Sequence, residues 1–330
     1  VLLGPSGGGK TTLLRTIGGF NRPTEGRVLL HGNDVSDLPP DKRPTSMVFQ
    51  SYALFPHMTV AGNVGYGLKL QKMPKAQIEE KIEAMLEMVG LQGYGTRKPH
   101  ELSGGQQQRV QLARSLALDR DILLLDEPLA ALDAKLRKDM CLELKHLQEK
   151  VGITFIHVTH NQEEAMTVAD RIALIADGLL VENGSPDEIY EAPRKRFTAD
   201  FVGENNILDC VVKKSDGNTA TLEIGTNSIT VPTGGSEVQT GQSVSISIRS
   251  ELLQLARPGS ERSNGYEILP ATYREKVYLG LTTSHIVAHS SGIELNVRTM
   301  SGLQDDDAEF SEGQAVTVLW QKNAARLHVD

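Results

Sequence analysis

The chain has 330 residues, of which 39% are hydrophobic and 23% are charged, as in globular proteins large enough for two domains. Its formal net charge of −8 argues against a dedicated nucleic-acid-binding protein, because such proteins carry basic surfaces. Cys141 and Cys210 have neither metal-ligand spacing nor a disulfide pattern, and we interpret them as ordinary core or surface residues. No stretch approaches the roughly 18 apolar residues of a membrane helix, so any association with a membrane is expected to be peripheral.

The chain opens on a predicted strand, loop and helix that together form a phosphate-binding loop. Residues 1–3 indicate the end of a buried strand, residues 4–11 fit G-x-x-x-x-G-K-[ST], and a helix is predicted to follow. Glycines let backbone N–H groups surround phosphate oxygens, and the helix dipole adds positive potential. Lys10 is predicted to reach the β- and γ-phosphates and Thr11 to bind Mg²⁺; the alternative is an ordinary glycine turn. The predicted nucleotide contacts of this loop are Gly4, Pro5, Ser6, Gly7, Gly8, Gly9, Lys10, Thr11 and Thr12.

Strands and helices are predicted to alternate up to about residue 200, which indicates an α/β domain. Short strands at 26–30 and 46–49 precede Gln50, and helical periodicity extends over about 59–117. The other predicted elements of this part are a helix over 136–147, strands at 122–125, 153–158 and 172–175, and a hairpin turn at Asp177-Gly178.

Within the helical stretch, Ser103-Gly104-Gly105-Gln106 stands at the start of a predicted helix. Backbone N–H groups at such a start, together with the Ser103 hydroxyl, form a second candidate anion site. The alternative is a helix that Ser103 merely caps. A second phosphate-type site in one chain raises the question of which phosphate it binds.

Two polar segments follow predicted buried strands. The apolar run at 122–125 suits the central strand of a parallel sheet, and it ends at Asp126 and Glu127. Asp126 is placed to hold Mg²⁺, and Glu127 to orient or deprotonate an attacking water. An acidic pair in a surface turn is the alternative, which the preceding buried strand disfavours. His160 follows the strand at 153–158 in the same way.

In the C-terminal third of the chain, helical periodicity disappears. Apolar residues alternate with serines from Val244 to Ile248, and short strands are separated by Gly, Asn, Ser and Asp turns. This pattern predicts a small β-barrel or sandwich. Asp305-Asp306-Asp307 is predicted to be a solvated loop, since it lacks the spacing of a calcium loop. The predicted domains are residues 1–203, with a helical subdomain at about 59–117, and the β-rich residues 204–330.

The order of these motifs resembles that of the ATP-binding cassette ATPases of ABC transporters. The resemblance implies an α/β P-loop NTPase fold with ATP and Mg²⁺ as cofactors. It also implies that two copies pair head to tail, with ATP between Lys10 of one copy and residues 103–106 of the other. The matching motifs are Walker A at 4–11, the Q-loop at Gln50, the signature at 102–106, Walker B at 122–127, the D-loop at Ala131-Leu132-Asp133 and the switch at His160.

The resemblance further implies the roles of single residues. Glu127 would polarise the attacking water, His160 would contact the γ-phosphate, and Gln50 would complete the catalytic group. Asp133 would contribute to nucleotide binding. Such chemistry depends mainly on positioning and on neutralising the charge of the phosphates. The expected magnesium ligands are Thr11, Gln50 and Asp126.

A cassette followed by a β-rich tail is similar to importer ATPases with a C-terminal TOBE domain, which has an OB-like fold. Ile248-Arg249-Ser250-Glu251 is similar to the Ile-Arg-Pro-Glu motif of that domain, with serine in place of proline. Residues 132–167 are most similar to the ATPase subunits of spermidine/putrescine importers, with Asn161 where these have aspartate. Importers of iron(III), sulfate or sugars share the architecture and are the alternatives.

The resemblance also implies partners and a location. The partners are a second copy, two integral membrane permease subunits and an extracytoplasmic substrate-binding protein, at the cytoplasmic face of the inner membrane, without nucleic acid. A soluble ABC ATPase of DNA repair or translation usually has coiled coils or paired cassettes, and this sequence predicts neither. A non-hydrolysing nucleotide switch is disfavoured by the presence of Glu127 and His160.

Two departures from the family pattern concern the phosphate-binding loop. The sequence begins at Val1, directly before the loop, so we expect it to be truncated at the N-terminus. Strands of the sheet and the aromatic residue that stacks on adenine would then be missing. In the loop itself, Gly8 stands where Ser or Cys is common, which the geometry tolerates.

Overall fold

The computed structural model describes residues 1–50, 54–130, 132–259, 265–302 and 310–329. The chain divides into two compact units, Val1–Pro186 and Asp187–Asp330. The domain boundary predicted after residue 203 differs from this division, because a helix before that residue packs on strands of the second unit. The predicted loop at Asp305–Asp307 lies outside the described residues.

The first unit contains a six-stranded sheet and a separate two-stranded ribbon. The strands are β1 (Leu2–Leu3), β2 (Leu29–Leu30), β3 (Asn33–Asp34), β4 (Thr45–Val48), β5 (Ile122–Asp126), β6 (Thr154–Thr159), β7 (Ile172–Ala176) and β8 (Leu179–Gly184). The sheet order is β4-β5-β6-β1-β7-β8, and its pairs are parallel except for β7 with β8. Strand β5 is buried along its whole length, as its apolar run predicts. The strand predicted at 26–30 is shorter and includes only Leu29–Leu30.

Helices of the first unit cover the sheet and form a cluster of their own. They are α1 (Lys10–Ile17), α2 (Val60–Val64), α3 (Tyr66–Leu70), α4 (Lys75–Met88), α5 (Gly104–Leu116), α6 (Ala134–Val151) and α7 (Gln162–Val168). Helices α2 to α5 share an apolar core that includes Val64, Leu68, Leu86 and Val110. The buried face of α4 carries Ile78, Ile82 and Leu86, which belong to this core. Within the described residues, no helix is long and apolar enough to cross a membrane.

Within the described residues, the second unit consists of two short helices and two five-stranded antiparallel sheets. The helices are α8 (Pro186–Glu191) and α9 (Arg196–Phe201). The strands are β9 (Asn205–Ser215), β10 (Thr219–Ile224), β11 (Asn227–Pro232), β12 (Ser243–Arg249), β13 (Gln254–Ala256), β14 (Tyr266–Tyr278), β15 (Thr282–Ala288), β16 (Glu294–Met300), β17 (Ala315–Gln321) and β18 (Arg326–His328). The sheet orders are β11-β10-β9-β12-β18 and β13-β17-β14-β15-β16.

Both sheets contribute to one apolar core, which includes Leu222 from one sheet and Trp320 from the other. Two of the serines on β12, Ser245 and Ser247, are buried as well. Ser247 Oγ lies 2.8 Å from His328 Nε2, and this hydrogen bond satisfies its buried hydroxyl. From Val244 to Arg249, strand β12 is therefore buried on both faces.

Arg249 explains why the second unit begins before the predicted boundary. Its guanidinium donates to the carbonyl oxygens of Tyr190 and Val202 and lies 3.9 Å from the centroid of the Tyr190 ring. The Tyr190 hydroxyl donates to Glu251 Oε1 at 2.8 Å. Burial lowers the pKa of Arg249. The segment at 248–251 thus fastens the preceding helical segment to the β-strands.

Both cysteines belong to apolar cores. Cys141 lies on α6 and Cys210 on β9, and both are buried. Burial raises the pKa of each thiol to about 12, with a further contribution from Glu164 at Cys141 and from Asp209 at Cys210. The thiolate form that a nucleophile or metal ligand needs is therefore scarce at neutral pH.

Candidate functional site

Four predicted site segments follow four neighbouring strands of the six-stranded sheet. Gly4 follows β1, Gln50 comes shortly after β4, Glu127 follows β5 and His160 follows β6. These strands are adjacent in the order β4-β5-β6-β1 and run parallel. The carboxyl ends of parallel strands meet at one edge of a sheet, which is where open α/β sheets bind ligands. The fold therefore brings these segments to one edge.

The phosphate-binding loop runs from β1 into α1 over glycines with left-handed backbone. The φ angle is +81° at Gly7 and +96° at Gly9, values that favour glycine. The N–H of Gly8 donates to the Pro5 carbonyl at 3.2 Å, and the Gly8 carbonyl accepts from the N–H of Gly178 at 3.1 Å. The loop is therefore held by its own turn and by the β7–β8 hairpin. The N–H groups of the first turn of α1, which lack partners within the helix, lie at this end.

Lys10 is the first residue of α1, and its side chain is buried. Its Nζ donates to the carbonyl oxygens of Gly4 at 2.9 Å and Pro5 at 2.8 Å. Burial lowers the pKa of Lys10, and the nearby charge of Glu127 raises it in part. The ammonium group is thus placed against the backbone of the loop that is predicted to surround phosphates.

Thr11 and Asp126 form an oxygen-rich pair beside the loop. Thr11 Oγ1 donates to Asp126 Oδ1 at 2.9 Å, and Arg15 Nη2 lies 3.7 Å from Asp126 Oδ2. The predictions omit Arg15, although its position one turn after Thr11 places it on the same helix face. A hydroxyl and one carboxylate suit Mg²⁺, which usually completes its shell with substrate phosphates and waters. The residues of this pair therefore fit the ion.

Glu127 is the centre of a second group. Its φ angle is +46°, which is uncommon outside glycine, and its N–H donates to the Val158 carbonyl at 3.1 Å. Gln50 Nε2 donates to Glu127 Oε2 at 3.2 Å, and His160 Nδ1 lies 3.3 Å from Glu127 Oε1. Gln50 and His160, the other two residues predicted to be catalytic, therefore both contact the Glu127 carboxylate.

The predicted signature lies at the start of α5. Ser103 Oγ accepts from the Gln106 N–H at 3.3 Å, and Gln106 Oε1 accepts from the Ser103 N–H at 3.0 Å, which is a capping box. Asp133 caps α6 by accepting an N–H of its first turn at 3.0 Å. Among the residues that the structure describes, no hydrogen bond or ion pair joins these segments to Lys10 or Glu127. Of the predicted residues, Ala131 of the D-loop lies outside the described parts.

Gly4→Ala is expected to destabilise the first unit. A Cβ atom at Gly4 would lie 1.9 Å from the backbone carbonyl oxygen of Ile175 on the paired strand β7. Because a backbone atom cannot move aside without breaking the β1–β7 pairing, we expect the free energy of unfolding to fall by about 3 kcal/mol or more. Urea denaturation measures the change.

The matched control for Gly4→Ala is Gly26→Ala. Gly26 has a φ angle of +78° but open space around it, so alanine there adds backbone strain without a collision. We expect this control to lose only about 1–2 kcal/mol. Equal losses in the two variants would contradict the steric explanation for Gly4.

Known protein families match both parts of the chain. Residues 1–130 match the ABC transporter family, and residues 246–327 match the TOBE domain. The spermidine/putrescine import ATP-binding protein PotA of Roseobacter denitrificans is 47% identical over 327 residues, which cover 99% of this chain and 89% of the relative. Proteins of the same name from Mesorhizobium japonicum and Pseudomonas fluorescens are 46% and 44% identical, covering 99% and 100% of this chain and 87% and 88% of the relatives.

A solved structure is similar to the cassette. It is the dimeric structure of a post-hydrolysis state of the ATP-binding cassette MJ0796 bound to ADP and Pi, 35% identical with a TM-score of 0.50. The match covers 56% of this chain and 84% of that chain. Together with the family matches, it confirms the predicted fold class, an ABC ATPase cassette followed by an all-β TOBE domain. The chain therefore belongs to the family of ABC transporter ATP-binding proteins.

Proposed function

We propose that this chain energises the uptake of the polyamines spermidine and putrescine, as the ATP-hydrolysing subunit of an ABC importer. The observation that carries the proposal is the similarity of nearly the whole chain to proteins named spermidine/putrescine import ATP-binding protein. This similarity spans the cassette and the β-rich unit together. It is therefore more specific than the cassette motifs, because one fold serves many functions.

ATP binding would depend on the phosphate-binding loop. The N–H groups at the start of α1 and the helix dipole attract the phosphate oxygens. The Lys10 ammonium has three donors and now uses two of them on the carbonyls of Gly4 and Pro5. A small rotation of this side chain would turn its donors toward the β- and γ-phosphates.

The magnesium ion would be held by Thr11, Asp126 and the side-chain oxygen of Gln50. When bound, Mg²⁺ neutralises charge on the β- and γ-phosphate oxygens. Gln50 uses its amide nitrogen to donate to Glu127, which leaves its oxygen for the ion. Among the described residues, no group of three or more His, Cys, Asp or Glu offers another metal site.

Water activation would depend on Glu127. Its carboxylate can accept a proton from the attacking water, while Gln50 holds the other carboxylate oxygen in place. His160 faces Glu127 with Nδ1, so Nε2 is the atom that would contact the γ-phosphate. These residues supply the positioning and the charge balance that phosphoryl transfer to water requires.

A second copy would complete the nucleotide site. Ser103 is exposed at the start of α5, and it makes no described contact with Lys10 or Glu127 of its own chain. Head-to-tail pairing would place residues 103–106 on the γ-phosphate held by the partner, with Asp133 near the same interface. The similar cassette of known structure is a dimer, which supports this arrangement.

Membrane partners would complete the transporter. We propose two integral permease subunits and an extracytoplasmic substrate-binding protein, with this chain attached peripherally at the cytoplasmic face of the inner membrane. The net charge of −8 gives no support to a nucleic-acid partner. Cargo would contact the binding protein and the permeases rather than this chain.

The identity of the cargo can be tested by reconstituting this chain in vesicles with its permeases and binding protein. We expect phosphate release to rise when the binding protein carries spermidine or putrescine, because loaded binding protein would trigger the ATPase cycle. Sulfate, sugar or iron(III) in place of the polyamine should leave the basal rate unchanged. Stimulation by one of these instead would assign the importer to that cargo. Vesicles with Glu127→Gln are the control for contaminating ATPases.

A further inference from the structure

We propose that Glu164 is a positioning residue that fixes His160 in the ATPase site, an inference that rests on the proposed hydrolytic function. Glu164 lies on α7, directly after the turn that carries His160, and it is only 4% exposed. A carboxylate in the first turn of a helix is usually solvated and interacts with the helix dipole. Its burial here indicates a more specific role.

Three hydrogen bonds form a ring around the backbone of His160. The Thr159 hydroxyl donates to Glu164 Oε2 at 3.0 Å, and the Asn161 N–H donates to Thr159 Oγ1 at 3.0 Å. The Glu164 N–H donates to Asn161 Oδ1 at 3.0 Å and closes the ring. Because Thr159 and Asn161 flank His160, the ring fixes the backbone from which the imidazole extends.

His157 lies against the other oxygen of the Glu164 carboxylate. Its Nε2 contacts Glu164 Oε1, and the ring of His157 is 1% exposed on β6. A buried carboxylate is unfavourable unless donors surround it. The hydroxyl of Thr159 and the imidazole of His157 are both on β6, the strand that ends at the switch residue. Glu164 is therefore hydrogen-bonded to that strand through Thr159 and packs against it at His157.

His160 itself has little packing to hold it. Its side chain is 53% exposed, and its described contact is with Glu127 Oε1 at 3.3 Å. A side chain with few neighbours takes its position from its backbone and from the residues behind it. A displacement of about 1 Å in such a site can reduce turnover about 100-fold. The ring therefore affects the reaction as well as the folding of the turn.

A small cavity links this network to Glu127. Its volume is about 30 Å³, which is enough for one water molecule, and Glu127, His160 and Glu164 all line it. The proposed base, the switch residue and the positioning carboxylate therefore border one volume.

The test compares Glu164→Ala with Glu163→Ala, its exposed neighbour on α7. We expect Glu164→Ala to reduce kcat for MgATP about 10- to 100-fold with KM for ATP unchanged, and Glu163→Ala to change neither. Glu164→Gln should recover most of the loss, since an amide can still accept from Thr159. Thr159→Val removes the hydroxyl at nearly constant volume, so it should reduce kcat in the same way. If Glu164→Ala does not fold, Thr159→Val takes its place in the comparison.

Two readouts separate positioning from structural support. In a His160→Ala background, Glu164→Ala should cause no further loss of kcat, because it acts through His160. In protein labelled with ¹³C-histidine, the His160 ring resonance should move in Glu164→Ala and stay in place in Glu163→Ala. The resonance is identified by its loss in His160→Ala, and it can be followed without turnover.

Unchanged kcat and an unmoved His160 resonance in both Glu164→Ala and Thr159→Val would overturn the positioning role. Independent losses that multiply in the double variant would overturn it as well. A different result would show that the proposed hydrolytic function is wrong: the wild type would hydrolyse no ATP, or Glu127→Gln would retain turnover. The His160 resonance decides the role of Glu164 in that case too.

Discussion

Glu127→Gln is expected to reduce MgATP hydrolysis by about 10²- to 10⁴-fold while ATP binding persists. The amide has the size of the carboxylate, and its oxygen can still accept the hydrogen bond from Gln50. It cannot accept a proton from the attacking water. Lys10 and the Thr11–Asp126 pair are unchanged by the substitution, so the nucleotide should still bind.

Phosphate release and nucleotide binding measure the two halves of this prediction. The variant should also accumulate as an ATP-bound dimer in size-exclusion chromatography, since the proposed composite site fills but does not empty. Glu163→Gln is the control, because it makes the same chemical change on an exposed side chain. Full turnover in Glu127→Gln would remove Glu127 from the role of base. A parallel loss of ATP binding would assign it to nucleotide binding instead.

The position of the candidate residues at strand ends could be predicted, because each of them stands in a strong local pattern. The buried run before Asp126 and Glu127 predicts a central strand, and β5 is buried along its whole length. The pattern from Gly4 to Thr11 predicts a loop between a strand and a helix, which is the observed arrangement of β1 and α1. Local sequence therefore specifies which residues stand at strand ends.

The arrangement around these residues could not be predicted, because it depends on contacts between distant segments. The order β4-β5-β6-β1, which brings Gln50 and His160 to Glu127, follows from packing rather than from any local pattern. The burial of Glu164 against His157 could not be predicted either, because a glutamate in the first turn of a helix is usually solvated. Ser247 on β12 is buried by a partner far along the chain, His328.

Chains with Lys10→Ala and chains with Ser103→Glu are expected to be inactive alone and to recover activity when mixed. In the proposed dimer each site takes Lys10 from one copy and Ser103 from the other, so both sites of each pure variant are defective. The Ser103→Glu carboxylate would repel the γ-phosphate. A mixed dimer contains one site with both defects and one intact site. Equal mixing makes half of the dimers mixed, so about a quarter of the wild-type activity per chain should return.

Single-turnover phosphate release from differently tagged chains measures this recovery. The tags show how many mixed dimers form, and a single turnover does not require the two sites to alternate. The control mixes Lys10→Ala with the Lys10→Ala/Ser103→Glu double variant, which can form no intact site. Mixed dimers without recovered activity would show that Ser103 serves the nucleotide of its own chain. Recovery only in the mixture of Lys10→Ala with Ser103→Glu would show that the signature of one copy serves the nucleotide of the other. It would also explain why, among the described residues of one copy, no hydrogen bond or ion pair joins the signature to Lys10.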